Sequence, residues 1–372
     1  MKTQIFMLSL LTVTSLLAET NATIEKPKNT LSLIDDKLNM YGDVRIRHQE
    51  VYYEGDDNVY QQRYRIRLGL TYAITDDLVF EVQTSSGKGN PTSGNVKFTD
   101  GLGMEQFKVD VLDLQYKFDN SWIRAGKSKH YFYRPMKTQL IWDNDLRPEG
   151  VSYGYKENDR FTAGLWKVNR DEYKNDPLAD DIYFFAAQYI HQLQYSENTR
   201  FNIGGGYHHY EGVQGNMPAY GKGALGNSVN ADGTYMHDYR VLEFTAEVKF
   251  KEVLGKPLKL ATTLAYNTAV SDDNFAYDLS LQWGSAKENN LDWQLGYTYR
   301  DLQKDALYAA HNDSDFIAGG TDGKGHIFKG KMRLNPNLYT AFHYQITENY
   351  KQVPKKVNPD YKRLMVDLIL TF

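Results

Sequence analysis

RYRIRLGLTY, residues 63–72, decides the fold. Arg63, Arg65 and Arg67 take every second position, and Tyr64, Ile66, Leu68, Leu70 and Tyr72 take the alternate ones. A period of two belongs to a β-strand, whose successive side chains point to opposite faces. One face is wholly apolar here and the other carries three cations. In an ordinary half-buried strand the charged face looks at bulk water. Three guanidiniums in one row ask for a more specific neighbour.

The same alternation runs through residues 38–372. Leu38, Met40, Val44 and Ile46 begin it, and the opening stretch is the second segment. The tenth segment is the cleanest, with Leu242, Phe244, Ala246, Val248 and Phe250 set against Glu243, Thr245, Glu247 and Lys249. The last presents Leu364, Val366, Leu368, Leu370 and a terminal Phe372. Two segments are less clear: the facing around 122–129 is unassigned, and the phase of 183–190 is ambiguous. Short polar turns such as Thr75-Asp76-Asp77 and Asn335-Pro336-Asn337 alternate with long loops at 87–106, 130–149 and 211–237. The total is about sixteen strands, an even number, as bacterial outer-membrane barrels have.

Composition narrows the class. The chain opens MKTQIFMLSLLTVTSLLAET, a lysine followed by a short apolar run and small residues. Residues 1–18 read as a secretory signal peptide cleaved after Ala18, or after Ala22 as the second choice. Residues 19–37 read as a short flexible periplasmic lead-in, and 38–372 as the barrel. No later window holds the roughly 20 apolar residues of a spanning helix, and the mean hydropathy is polar. Hydropathy alone would suggest a soluble secreted protein, a β-sandwich or solenoid. Aromatics at 14%, 29 tyrosines among them, favour the barrel, where Tyr and Trp at strand ends form interfacial girdles. The absence of cysteine excludes a small disulfide-stapled domain. A net charge of −4 gives no basic field for nucleic acid.

The reading is therefore all-β: a transmembrane antiparallel barrel with short periplasmic turns and long external loops. Lipid supplies no hydrogen-bond partner, so a sheet spans it only when closed. The polar faces then look into a lumen too wide for side chains to fill. Arg45, Arg47, Arg63, Arg65, Arg67 and Arg363 share that face on the first, second and last strands. Lys329, Lys331 and Arg333 lie two strands away and extend a basic wall. Loop 130–149 carries Asp143, Asp145 and Glu149, together with Arg134 and the aromatic anchors Tyr131, Phe132, Tyr133 and Trp142. Folded inward, it would narrow the passage and set carboxylates against the arginines, giving a transverse field. A plainer alternative pairs the arginines with Asp43, Glu81 and Asp110 in a rigid wall network.

Five stretches carry a resemblance: GDVRIRHQ (42–49), QRYRIRLGL (62–70), RAGKSKHYFYRP (124–135), WDNDLRPEGV (142–151) and DSDFIAGGTDGKGH (313–326). Across residues 40–372 the chain resembles the putative porin family of Gram-negative outer membranes. The resemblance implies a pore-forming barrel with no cofactor. By likeness to other sixteen-stranded porins it also implies a constricting third loop and a homotrimer in outer-membrane lipid.

His311, Ser314 and Asp315 contain the parts of a nucleophilic triad, but such groups must converge in space. His208 and His209 are adjacent on a strand and point apart. Asp143, Asp145 and Glu149 have a spacing that could hold Ca²⁺ only with further oxygen ligands. GGTDGKG (319–325) lacks the strand-to-helix setting of a phosphate loop. No metal, cofactor or enzymatic activity is expected. The function expected is a porin passing small hydrophilic solutes and ions by passive diffusion. The alternative is a channel specific for anionic solutes that uses the arginines as a ladder.

Overall fold

The computed structural model describes residues 36–55, 57–87, 91–98, 106–168, 182–221, 223–350 and 360–372. The expected signal peptide, and all of the lead-in but Asp36 and Lys37, lie outside the described residues. The segments of period two form sixteen strands. They are β1 (Leu38–Tyr53), β2 (Val59–Ala73), β3 (Leu78–Ser86), β4 (Phe107–Phe118), β5 (Ser121–Lys127), β6 (Glu149–Lys156), β7 (Arg160–Val168) and β8 (Ile182–Gln194). The second half comprises β9 (Thr199–Glu211), β10 (Tyr239–Val253), β11 (Lys256–Asn267), β12 (Phe275–Gly284), β13 (Trp293–Leu302), β14 (Gly323–Arg333), β15 (Leu338–Asn349) and β16 (Asp360–Thr371).

Each strand pairs antiparallel with its sequence neighbour, and β16 returns to β1 in register from Asp43↔Thr371 to Tyr53↔Tyr361. The sheet therefore closes, and no row of backbone amides and carbonyls is left as an edge. At the seam the ring of Phe372 lies over Gly42, where a Cβ would come within 2.6 Å of it, so glycine admits the ring. The short segment Val96–Lys97 of the 87–106 connection adds to β2 opposite Arg63 and Tyr64, extending the wall above the shorter β3.

Facing follows the alternation. Ile46 is 46% exposed beside Arg47 at 4%, and Leu242 is 50% exposed beside Glu243 at 8%. Apolar residues point out and charged ones point in, the inverse of a soluble sheet. β8 explains its own ambiguous phase. Tyr183, Phe185 and Tyr189 point outward, yet Ile182, Phe184 and Ala186 on the inner face are buried apolar residues too. On β5, Ile123 is outward and Arg124 inward.

The inner apolar residues of β8 meet a hydrophobic core inside the barrel. Three long connections supply it: Leu140 and Trp142 from 128–148, Tyr235 from 212–238, and Leu307, Tyr308, Phe316 and Ile317 from 303–322. They pack on Phe184, Tyr210, Tyr239 and Ile327 of the wall. The lumen expected to be too wide for wall side chains to fill is partly filled by more than the one loop expected to fold inward. Folded-in connections occupy the side beneath β7–β14, which leaves space beside β1, β2 and β14–β16.

Candidate functional site

β1 and β2 set arginine directly against arginine, with Arg45 opposite Arg65 and Arg47 opposite Arg63. Like charges across a strand pair are destabilising, so the row needs counter-charge. The wall gives part of it. Asp367 takes Arg47 in two bonds of 2.7 and 2.8 Å. Asp43 accepts from Arg65 and from Arg67, each at 2.7 Å.

The remainder comes from two connections. Asp145 of 128–148 lies 3.4 Å from both Arg65 and Arg67. Asp315 of 303–322 lies 2.8 Å from Arg363 and 3.6 Å from Arg47. Burial opposes ionisation of Asp145, but Arg65, Arg67, Arg45 and Arg147 outweigh it and hold its carboxyl down to about 2. Burial likewise opposes the charge on Asp315, and Arg363 and Arg47 hold it far below the usual carboxylate range.

Connection 128–148 crosses the lumen to reach this strip. The Tyr133 amide donates to Gln188 Oε1 on β8 at 2.7 Å, and the Tyr133 hydroxyl donates to Glu247 on β10. Thr138 donates to Asp278 on β12. The chain then turns back. Arg134 braces the turn by donating to the carbonyls of Thr138 (3.1 Å) and Trp142 (3.0 Å) and to Asn144 Oδ1 (2.8 Å). Trp142 seats the returning limb, its ring 4.9 Å from Phe184 and 5.1 Å from Phe132.

Connection 303–322 is pinned just as firmly. Arg300 on β13 lies 2.7 Å from Asp278 and 2.8 Å from Asp313 in a fully buried triad. Beside the charged strip lies a cavity of about 500 Å³. Its lining includes Arg45, Arg47, Arg65, Arg67, Lys137, Lys329 and Lys331, with Asp143, Asp145, Asp315 and Asp367.

Not every expected residue joins this strip. Asp143 is buried and turned from the arginines; its carboxylate accepts the backbone amides of Asp145 and Ser314. Burial, Asp145 and Asp313 push its carboxyl well above the ordinary value. Glu149 starts β6 and pairs with Lys127 on the rim at 3.0 Å and not with the arginine row, which corrects its assignment to the inward loop. Arg333 donates to the carbonyls of Lys287 and Glu288 in a short turn, so it sits at the opposite mouth. Arg63 donates to Gln49 and to the Asn95 carbonyl, both at 3.3 Å.

Of the wall carboxylates weighed in the sequence, Asp43 alone pairs with the arginine row. Glu81 binds Arg124 and Lys129, and Asp110 binds Arg147. Sequence reasoning missed Asp367 and considered Asp315 only as part of a nucleophilic triad. The apolar run at 306–310 and Phe316-Ile317 beside it was the available sign that 303–322 is buried.

The groups of the supposed triad do not converge. His311 lies between the Tyr210 and Tyr220 hydroxyls at 3.0 and 3.2 Å, and burial lowers its imidazole to about 3. Ser314 Oγ donates to the Thr92 carbonyl, and Asp315 faces arginines. His208 meets Glu243 and His209 meets Glu211. Among the described residues no three His, Asp or Glu side chains are grouped to hold a metal.

The family described as "Putative porin" matches residues 48–245 and 239–372. Among solved structures, Pseudomonas putida OprB is similar with a TM-score of 0.61 at 11% identity, over 92% of this chain and 96% of that one. Salmonella typhi OmpF in complex with daunomycin gives 0.54 at 14%, over 90% and 97%. The trimer form of in-vitro folded OmpT, an outer membrane protein of Vibrio cholerae, gives 0.51 at 12%, over 90% and 99%. These likenesses are of fold. A comparison with curated proteins gives no match.

Proposed function

The chain belongs to the putative porin family, and from that premise we propose a passive outer-membrane channel for small hydrophilic solutes and ions. The observation that carries the reading is the approach of Asp145 to Arg65 and Arg67, at 3.4 Å, beside a charged cavity of about 500 Å³. Connection 128–148 acts as the constriction, with 303–322 beside it. Solutes are sieved there by size and sorted by the charges on either side. Reconstituted protein should render liposomes permeable to small sugars and give ohmic steps in planar bilayers. Sealed liposomes and silent bilayers would end the reading in favour of a plugged, surface-binding barrel.

A second reading, a channel specific for anions, is favoured by the surplus of cationic side chains in that cavity over its four aspartates. Saturation of the current with anion concentration would support it, and a linear rise would support general diffusion. Export through a signal peptide at 1–18 and assembly as a homotrimer belong to the same proposal. N-terminal sequencing of the mature chain and cross-linking in the membrane test them.

A further inference from the structure

We propose that Lys137, Lys329 and Lys331 form a binding site in the lumen for a compact dianionic oxyanion, a phosphate or phosphomonoester group. The proposal rests on the channel reading and moves the attractive charge from the arginines to the lysines.

Three of the four arginines lining the cavity are already matched: Arg47 has Asp367, and Arg65 and Arg67 share Asp43 and Asp145. The fourth, Arg45, donates to Asn95 and lies 3.8 Å from Asp367. A guanidinium held by fixed carboxylates attracts a passing anion only through its residual field. The three lysines differ. Among the described residues, no carboxylate lies within 4.0 Å of any of their ammonium groups, although all three line the same cavity. Lys331 rests 3.8 Å above the Tyr339 ring, a cation–π contact that holds the ammonium without neutralising it. Three unmatched charges against low-dielectric walls concentrate anions, and a dianion gains most.

Lys137 is held for this position by its backbone. Met136 and Lys137 have φ of 46° and 59°, the left-handed region that favours glycine. Both sides of the turn are tied to the far wall, by the Met136 amide to Glu247 at 3.3 Å and by Thr138 to Asp278. A strained turn pinned in this way presents its lysine with little freedom to withdraw. Lys329 and Lys331 alternate on β14 and share its inner face. Each ammonium offers three donors and acts as a point charge, which suits a tetrahedral oxyanion approached from several sides.

The test uses the full mature chain in planar bilayers, with chloride current measured against added inorganic phosphate and, separately, glycerol phosphate. Native protein should show saturable block by either or both. K137Q/K329Q/K331Q should weaken that block by roughly tenfold or more, about the loss of one good charge-assisted contact. Block by inorganic phosphate alone identifies the free ion as the ligand, and stronger block by glycerol phosphate identifies the ester. K127Q, on the outer rim, serves as the control and should block like the native protein. Equal block in native and triple variant overturns the proposal. Bilayers that stay silent overturn the channel reading instead. The site is then tested by phosphate-dependent thermal stabilisation of the detergent-folded barrel, which the triple variant must lose for the proposal to stand.

Discussion

The Asp143 carboxylate accepts the backbone amide of Ser314, 171 residues further along the chain, at 2.9 Å, joining two connections. The same carboxylate accepts the Asp145 amide at 2.7 Å, and the Asp143 amide donates to the His311 carbonyl at 2.9 Å. Connections 128–148 and 303–322 are therefore one unit in the lumen, and Asp143 is its fastener.

Replacing Asp143 with Ala should loosen that unit. A hydrogen bond contributes about 0.5–1.5 kcal/mol, and two are lost together. The barrel should still fold, as judged by its gel shift before heating. Single-channel records should show higher mean conductance and more current noise. Traces that match the native ones would mean the connections are held without Asp143.

Asp145 sets a pH window. Its folded value is lowered to about 2, so its contribution is full above the ordinary carboxylate value and is lost as pH falls through about 2. Conductance should stay flat from about pH 8 to pH 4 and change only in stronger acid, as far as this contact controls it. A transition near pH 5 would show that Asp145 does not hold the loop to the arginines.

Arg65 and Arg67 share two carboxylates, whereas among the described residues Arg63 donates only to neutral groups. R65Q/R67Q removes the ion-pair partners of Asp43 and the nearest two of Asp145 and should shift the reversal potential toward cations. R63Q should shift it less. Equal shifts would place Arg63 on the ion path as fully as its neighbours.

Arg300 is the buried cation between Asp278 and Asp313. R300M strands two carboxylates, and breaking a buried pair costs about 3–5 kcal/mol. The variant should unfold at lower temperature in detergent, and 303–322 should become a protease target. R300M/D278N/D313N should recover much of the loss. Failure to recover would mean that the guanidinium matters through packing.

Most of the barrel was legible because lipid imposes the rule that residues report. Leu242 to Phe250 alternate without interruption since one face must be oily and the other wet. The rule fails where the environment changes. Ile182, Phe184 and Ala186 break the alternation of β8 because protein, and not water, lies inside it there. The inward arginines were legible from their phase, but their partners were not. Asp315 and Asp367 stand far from Arg47 in sequence, and only closure and folding-in bring them together. Glu149 was misplaced because a carboxylate at the edge of a loop is indistinguishable by composition from one inside it.

The seam between β1 and β16 has a kinetic consequence. Arg47 and Asp367 are 320 residues apart, so that guanidinium meets its partner only when the first and last strands zip together. Loop-closure entropy makes such a contact slow to form. Until then the nascent sheet carries along its open margin a cation without its bidentate wall partner, and sealing that margin supplies the partner.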